Sequence, residues 1–80
     1  MKEVVIYSLS TCQWCKKAKK YFDERNVAYD NTDYDLVDTA EQARVEKDMR
    51  DLEVGGFPVV KIGHEVVVGY RPEQYDELLR

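Results

Sequence analysis

The sequence predicts a small α/β domain whose elements run β-α-β-α-β-β-α. Three observations carry that reading. The chain has 80 residues, enough for one core and therefore for one domain over residues 1–80. Its composition is 44% hydrophobic and 35% charged with four Gly and two Pro, the balance of a compact domain and not of a disordered chain. Short apolar runs alternate with stretches of helical spacing, and no repeat, low-complexity segment or linker interrupts them.

Glu3 to Leu9 is rich in β-branched and aromatic residues, too short for a helix, and apolar on both faces over Val4 to Tyr7. It reads as a buried strand. From Gln13 to Arg25 the spacing turns helical: Cys15, Ala18 and Phe22 fall at i, i+3 and i+7 with Tyr21 beside them, and Lys16, Lys17, Lys20, Asp23 and Glu24 cover the rest. Ser10 and Thr11 suit the start of this helix and Asn26 its stop. Val27 to Tyr34 alternates apolar and polar residues and predicts a second strand. Asp38 or Thr39 opens the next helix, with Gln42 placed as in a capping box and Val45, Met49 and Leu52 as its apolar stripe. Gly55-Gly56 is expected to end it. Pro58 to Ile62 is a strand, Gly63-His64 a turn, and Glu65 to Gly69 the returning hairpin partner. Pro72 fits the first turn of a last helix with Glu73 behind it, packed down by Tyr75, Leu78 and Leu79.

The net charge of −4 argues against a phosphate-binding surface, so nucleic acid is not an expected partner. The apolar run after Glu3 is only four residues long, Val4 to Tyr7 before Ser8, which predicts no export signal. No run approaches the roughly twenty apolar residues of a membrane span. A monomer in a reducing, cytoplasmic setting is expected, where two cysteines serve metal binding or redox chemistry before a permanent disulfide. Charge is unevenly spread. Met1 to Arg25 holds six basic and three acidic residues for +3, whereas Asp30 to Glu53 holds nine acidic and three basic for −6.

Cys12 and Cys15 form a Cys-x-x-Cys pair where a strand meets a helix. Unpaired first-turn N–H groups and the helix dipole at that place favour negative charge. Cys12 is therefore the expected nucleophile, with Lys16 one turn on as the tuning cation. Cys15, on the side of Ala18 and Phe22, is expected to be buried and protonated until a mixed disulfide forms on Cys12. The competing use is a metal site. Two Cys and one His in the whole chain cannot fill a four-ligand zinc site without carboxylates, so no metal residues are assigned. A copper-carrier domain would need the order β-α-β-β-α-β. Trp14, between the cysteines, is expected to touch a partner protein. Tyr70 divides between partner contact and core packing, His64 reads as a solvated turn residue, and the Lys16-Lys17-Lys19-Lys20 cluster as solvated surface able to steer an acidic partner.

Thr11-Cys12-Gln13-Trp14-Cys15 after a strand, Gly56-Phe57-Pro58-Val59-Val60 before a hairpin, and Gly69 before the last helix together resemble a glutaredoxin over essentially the whole chain. The resemblance implies a thioredoxin-like fold, a central mixed four-stranded sheet flanked by three helices. It implies catalysis by Cys12 and Cys15 as a redox-active disulfide without further cofactor, and substrate contacts from Thr11, Trp14, Gly56, Phe57, Pro58, Gly69 and Tyr70. Pro58 is expected to be cis and to face the cysteines, with the Phe57 backbone pairing to the substrate chain. Gly69-Tyr70-Arg71-Pro72-Glu73 looks most like the NrdH-type redoxins, hydrogen donors of ribonucleotide reductase. That similarity implies protein disulfide substrates such as ribonucleotide reductase and a reductant of the thioredoxin-reductase type. Leu9 and Tyr70-Arg71 stand where glutathione-using members commonly carry a basic and acidic residues, and Gln13-Trp14 replaces the usual Pro-Tyr. A glutathione-dependent glutaredoxin, or a metal or iron-sulfur cluster-binding module, are the alternatives.

Overall fold

The structure, a computed structural model, describes residues 2–80. The elements are β1 (Val4–Ser8), α1 (Gln13–Glu24), β2 (Asp30–Asp33), α2 (Thr39–Asp51), β3 (Val59–Ile62), β4 (Glu65–Val68) and α3 (Pro72–Leu79). They build one sheet of order β2-β1-β3-β4. β1 and β2 are parallel, while β3 runs antiparallel to both β1 and β4. The expected order and the mixed four-stranded sheet are both present.

Alternation along the strands divides the apolar side chains between the sheet's two faces. Val4 and Ile6 of β1, Val60 and Ile62 of β3 and Val67 of β4 pack with Ala18, Tyr21 and Phe22 of α1 and Tyr75 of α3. On the other face Tyr7 and Val59 meet Val45 and Met49 of α2, with Val5, Val54, Phe57 and Val66 at the edges. Two helices therefore cover one face and one covers the other, and β1 lies between β2 and β3, next to both covers.

Several boundaries differ from the sequence expectation. Ser10 and Thr11 do not cap α1. Cys12 does, with extended backbone (φ −84°, ψ 117°) and its Sγ accepting the Cys15 N–H at 3.2 Å. The preceding residues are spent on a turn closed by Cys12 N–H to Leu9 C=O, and the Ser10 hydroxyl is committed to Asp35. β2 covers only Asp30–Asp33 and not Val27 to Tyr34. Val27 belongs to the end of α1, Tyr29 packs on Phe22 with ring centroids 6.0 Å apart, and pairing to β1 starts only at Val5 opposite Asp30.

Asp38 caps α2 through the Glu41 N–H at 2.9 Å. Gln42 closes no capping box, because its side-chain amide donates to the Tyr34 carbonyl. Nor does Gly55-Gly56 end that helix. The chain already turns at Glu53 (φ +60°), where Glu53 N–H donates to Arg50 C=O and Val54 N–H to Met49 C=O. α1 ends in the same paired pattern at Asn26 (φ +56°), as expected. Gly63 (φ +61°) opens the hairpin turn between Ile62 and Glu65, the position where a left-handed residue matches the twist of the strands.

Candidate active site

The topology gathers four segments at one end of the sheet. The chain leaves β1 towards Cys12, leaves β2 beside it, enters β3 from the opposite direction at Pro58 and leaves β4 at Gly69. Three stretches far apart in sequence, residues 11–16, 56–58 and 69–71, come to this end. The Phe57-Pro58 bond is cis.

The two thiols are free and unlike. Cys12 is partly exposed at the N-cap, its sulfur turned into the first turn of α1. Cys15 has no exposed surface. Burial is the main cause that pushes its thiol up to about 12; its hydrogen bond with Cys12 adds to the rise, while the Leu9 backbone and the Lys19 ammonium oppose it. Lys19 is held in turn at 3.6 Å from Asp33, and Asp33 accepts the hydroxyl of the fully buried Ser8 at 2.6 Å. Lys16 is exposed one turn beyond Cys12, and its backbone N–H donates to the Cys12 carbonyl at 3.2 Å. The sequence names Lys16 as the cation beside Cys12 and names none for Cys15. The ammonium that acts on Cys15 is that of Lys19, legible only as a residue one turn after Cys15 on the same helix side.

Beside the cysteines lies a shallow cleft of about 300 Å³ lined by Trp14, Phe57, Gly69, Tyr70 and Arg71. Trp14 is 57% exposed and stacks on Tyr70, with centroids 6.3 Å apart and planes 26° from parallel. Lys17 Nζ sits 4.6 Å from the Trp14 ring centroid, a cation over a π face. Tyr70 also meets Tyr75 edge-on, so it both lines the cleft and packs against the core. Gly69 (φ +92°) ties the cleft together. Its N–H donates to the Pro58 carbonyl at 2.8 Å, and its carbonyl accepts the Tyr75 hydroxyl at 2.5 Å. A second cleft of about 350 Å³ opens across Phe57, among Tyr34, Glu46, Met49, Arg50, Val54 and Gly55.

Trp14, Phe57, Gly69 and Tyr70, four of the residues singled out from sequence, thus line one cleft. Gly56 precedes Phe57, partly buried near Val68, whose Cγ1 would stand 3.7 Å from a Cβ there. Thr11 is exposed next to Cys12. Arg71 was not singled out as a site residue, although its place beside Tyr70 was the available signal. His64 lies at the far end of β3, beside Lys2 and Glu3. Among the described residues no three His, Cys, Asp or Glu side chains gather as a ligand set.

Comparison with known proteins agrees with this geometry. The Glutaredoxin family profile matches residues 4–67. A glutaredoxin-like 8.6 kDa protein of the rubredoxin operon of Clostridium pasteurianum is 34% identical over 77 residues, 95% of this chain and 96% of its own. The crystal structure of a glutaredoxin from Archaeoglobus fulgidus superposes with a TM-score of 0.87 at 33% identity, covering 100% of this chain and 88% of that one. The NrdH-redoxin of Escherichia coli shares the fold, with a TM-score of 0.80 at 22% identity over 95% of this chain and 93% of its own. A profile match from β1 into β4, with a relative aligned along nearly the full length of both chains, establishes that this chain belongs to the glutaredoxin family, whose members are thiol-disulfide oxidoreductases of thioredoxin-like fold.

Proposed function

We propose that this chain is a dithiol redoxin that reduces disulfides in other proteins, Cys12 attacking and Cys15 resolving. The observation that carries the proposal is the asymmetry of the pair: a partly exposed sulfur at a helix start beside an aromatic cleft, and a sealed sulfur holding its proton beneath it. The Cys12 thiolate attacks one sulfur of the substrate disulfide. A bond forms between the two sulfurs, and the other substrate sulfur leaves as a thiolate that takes up a proton. Cys15 then gives up its proton and attacks Cys12 Sγ. The second substrate sulfur leaves with its electron pair and is protonated in turn. Two electrons and two protons pass to the substrate, and Cys12 and Cys15 end joined.

Trp14, Phe57, Tyr70 and the Gly69 backbone form the surface on which the substrate chain lies, flanked by Thr11, Gly56 and Pro58, while Lys16 adds positive charge to the helix start. The Gly69-Tyr70-Arg71-Pro72-Glu73 stretch makes a ribonucleotide reductase the first substrate to try, and a reducing compartment such as the cytoplasm the setting. For the electron source we favour a protein reductase of the thioredoxin-reductase type. Glutathione presents an α-ammonium that needs a carboxylate, and the charged side chain lining the cleft is the guanidinium of Arg71. Charge-assisted hydrogen bonds are worth about 1.5–3 kcal/mol each, so losing two weakens a small ligand by roughly a hundredfold or more.

Oxidised protein offered separately to glutathione with glutathione reductase, and to NADPH with thioredoxin reductase, is expected to be reduced faster by the second system. Faster reduction by glutathione would restore an ordinary glutaredoxin and leave the cysteine roles standing. Cys12→Ser is expected to abolish insulin reduction and Cys15→Ser to trap mixed disulfides. Full activity of the Cys12 variant would remove the mechanism.

A further inference from the structure

The large apolar side chains left exposed among the described residues are Trp14 and Leu36, at 57% and 68%. Trp14 lines the cleft already described. Leu36 does not, and the fold gives no reason for an aliphatic side chain there, since it sits in the turn between β2 and the Asp38 cap, where polar residues usually serve. Its surroundings bring it to the cysteine end. Adjacent parallel strands end together with Ser8 opposite Asp33, and the Tyr34 N–H donates to the Ser8 carbonyl at 2.8 Å. Asp35 then accepts both the Ser10 N–H at 2.9 Å and the Ser10 hydroxyl at 2.5 Å. The residue before Leu36 is thereby bound to the residue two before Cys12.

Charge divides along the same line. On the Trp14 side stand Lys17 over the indole ring and Arg71 in the cleft. On the Leu36 side stand Asp35 and Asp38, both exposed. Cys12 lies between a cationic arm that carries an aromatic and an anionic arm that carries an aliphatic.

Resting on the redoxin reading, we propose that Leu36 is a second docking anchor, across Cys12 from Trp14, for a substrate protein whose disulfide joins an acidic segment to a basic one. The acidic segment faces Lys17 and Arg71; the basic segment faces Asp35 and Asp38 and offers an apolar contact to Leu36. Opposed charges of this kind fix the orientation in which the disulfide arrives and reject partners that bear one sign throughout. A small disulfide reaches Cys12 without touching either arm.

Three disulfide-bridged peptide pairs, acidic with basic, acidic with acidic and basic with basic, test the proposal alongside dithiobis(nitrobenzoate) as the small disulfide. The native protein is expected to reduce the acidic-basic pair with the highest kcat/KM, by about fivefold over the others at low salt, with the preference fading as ionic strength rises. Leu36→Ser is expected to lower the ratio of the acidic-basic rate to the small-disulfide rate by about fivefold, mainly through KM, with Leu36→Met restoring most of it. An unchanged ratio in Leu36→Ser, or no preference among the three pairs, would overturn the proposal. Failure of the native protein to reduce even the small disulfide would instead remove the redoxin reading beneath it.

Discussion

Cys12 and Cys15 lie one helical turn apart and share a hydrogen bond, yet their sulfurs meet different surroundings. The N-cap position leaves Cys12 outside the helical backbone and partly exposed, whereas Cys15 points with Ala18 and Phe22 into the core. The folded state holds the Cys15 proton up to about 12, while an unfolded chain releases it near about 8.5. Folded protein binds the proton that unfolded protein loses, so this residue's contribution is full below about pH 8.5 and falls as pH rises towards the folded value. Tyr21 and Tyr75, also pushed up to about 12 by burial first, act in the same sense above about pH 10. The urea midpoint of reduced protein is expected to drop between pH 8 and 10.5, and to drop less in Cys15→Ser over the lower half of that range. An equal slope in both would mean that Cys15 is not held protonated.

Helix ends decide where the chain can turn towards the site. α1 and α2 both finish on a left-handed residue with paired return hydrogen bonds, and each places an apolar residue, Val27 or Val54, back against the helix it has left. Asn26 tolerates that backbone; Glu53, a longer side chain with ordinary sterics, is held there at a cost. Glu53→Gly is expected to stabilise the protein by about 0.5–1 kcal/mol in urea unfolding, and Asn26→Ala to destabilise it by about 1 kcal/mol. A destabilised Glu53→Gly would show that the glutamate side chain contributes something the backbone argument misses. The Asn26 stop was legible because asparagine is a favoured left-handed residue. The Glu53 stop was not, since the glycines two residues on were the stronger local signal. β2 is shorter than the alternation of Val27 and Tyr29 predicts, because the apolar partners of those two residues are Phe22 and the core beside it.

Across the whole molecule, a polar network joins elements that the apolar core alone would leave free to slide. Asp48 of α2 accepts from Tyr7 of β1 and from Lys61 of β3 at 2.7 Å, and Lys61 lies 5.2 Å from the Tyr7 ring centroid. Lys61 first and Tyr7 second hold the Asp48 carboxyl below its ordinary value; Ser8 does the same for Asp33. A folded carboxylate held below the unfolded value, about 3.9, contributes stability that is full above that pH and is lost as pH falls through the folded value. Asp48→Asn is expected to cost about 1–3 kcal/mol at pH 7, because the part-buried Lys61 ammonium loses its counter-charge and the shared acceptor becomes a weaker, neutral one. It is also expected to flatten the decline in stability below pH 4. An unaltered acid limb with lowered stability at pH 7 would assign the loss to packing instead.

The seven elements, the thiol pair and the difference between its two sulfurs follow from local pattern, because strand alternation, helical spacing and a sulfur at a helix start are set by neighbouring residues. Glutaredoxin membership was legible for the same reason, its motifs being short and correctly ordered. What only the tertiary structure decided is which distant residues meet: Trp14 on Tyr70, Gly69 bound to Pro58, Asp35 on Ser10, Lys19 against Asp33. Those meetings depend on strand order and direction, which bring the ends of β1, β2 and β4 and the start of β3 to one edge. No periodicity along the chain encodes that arrangement, since it is selected by how two apolar faces and three helices can be buried together.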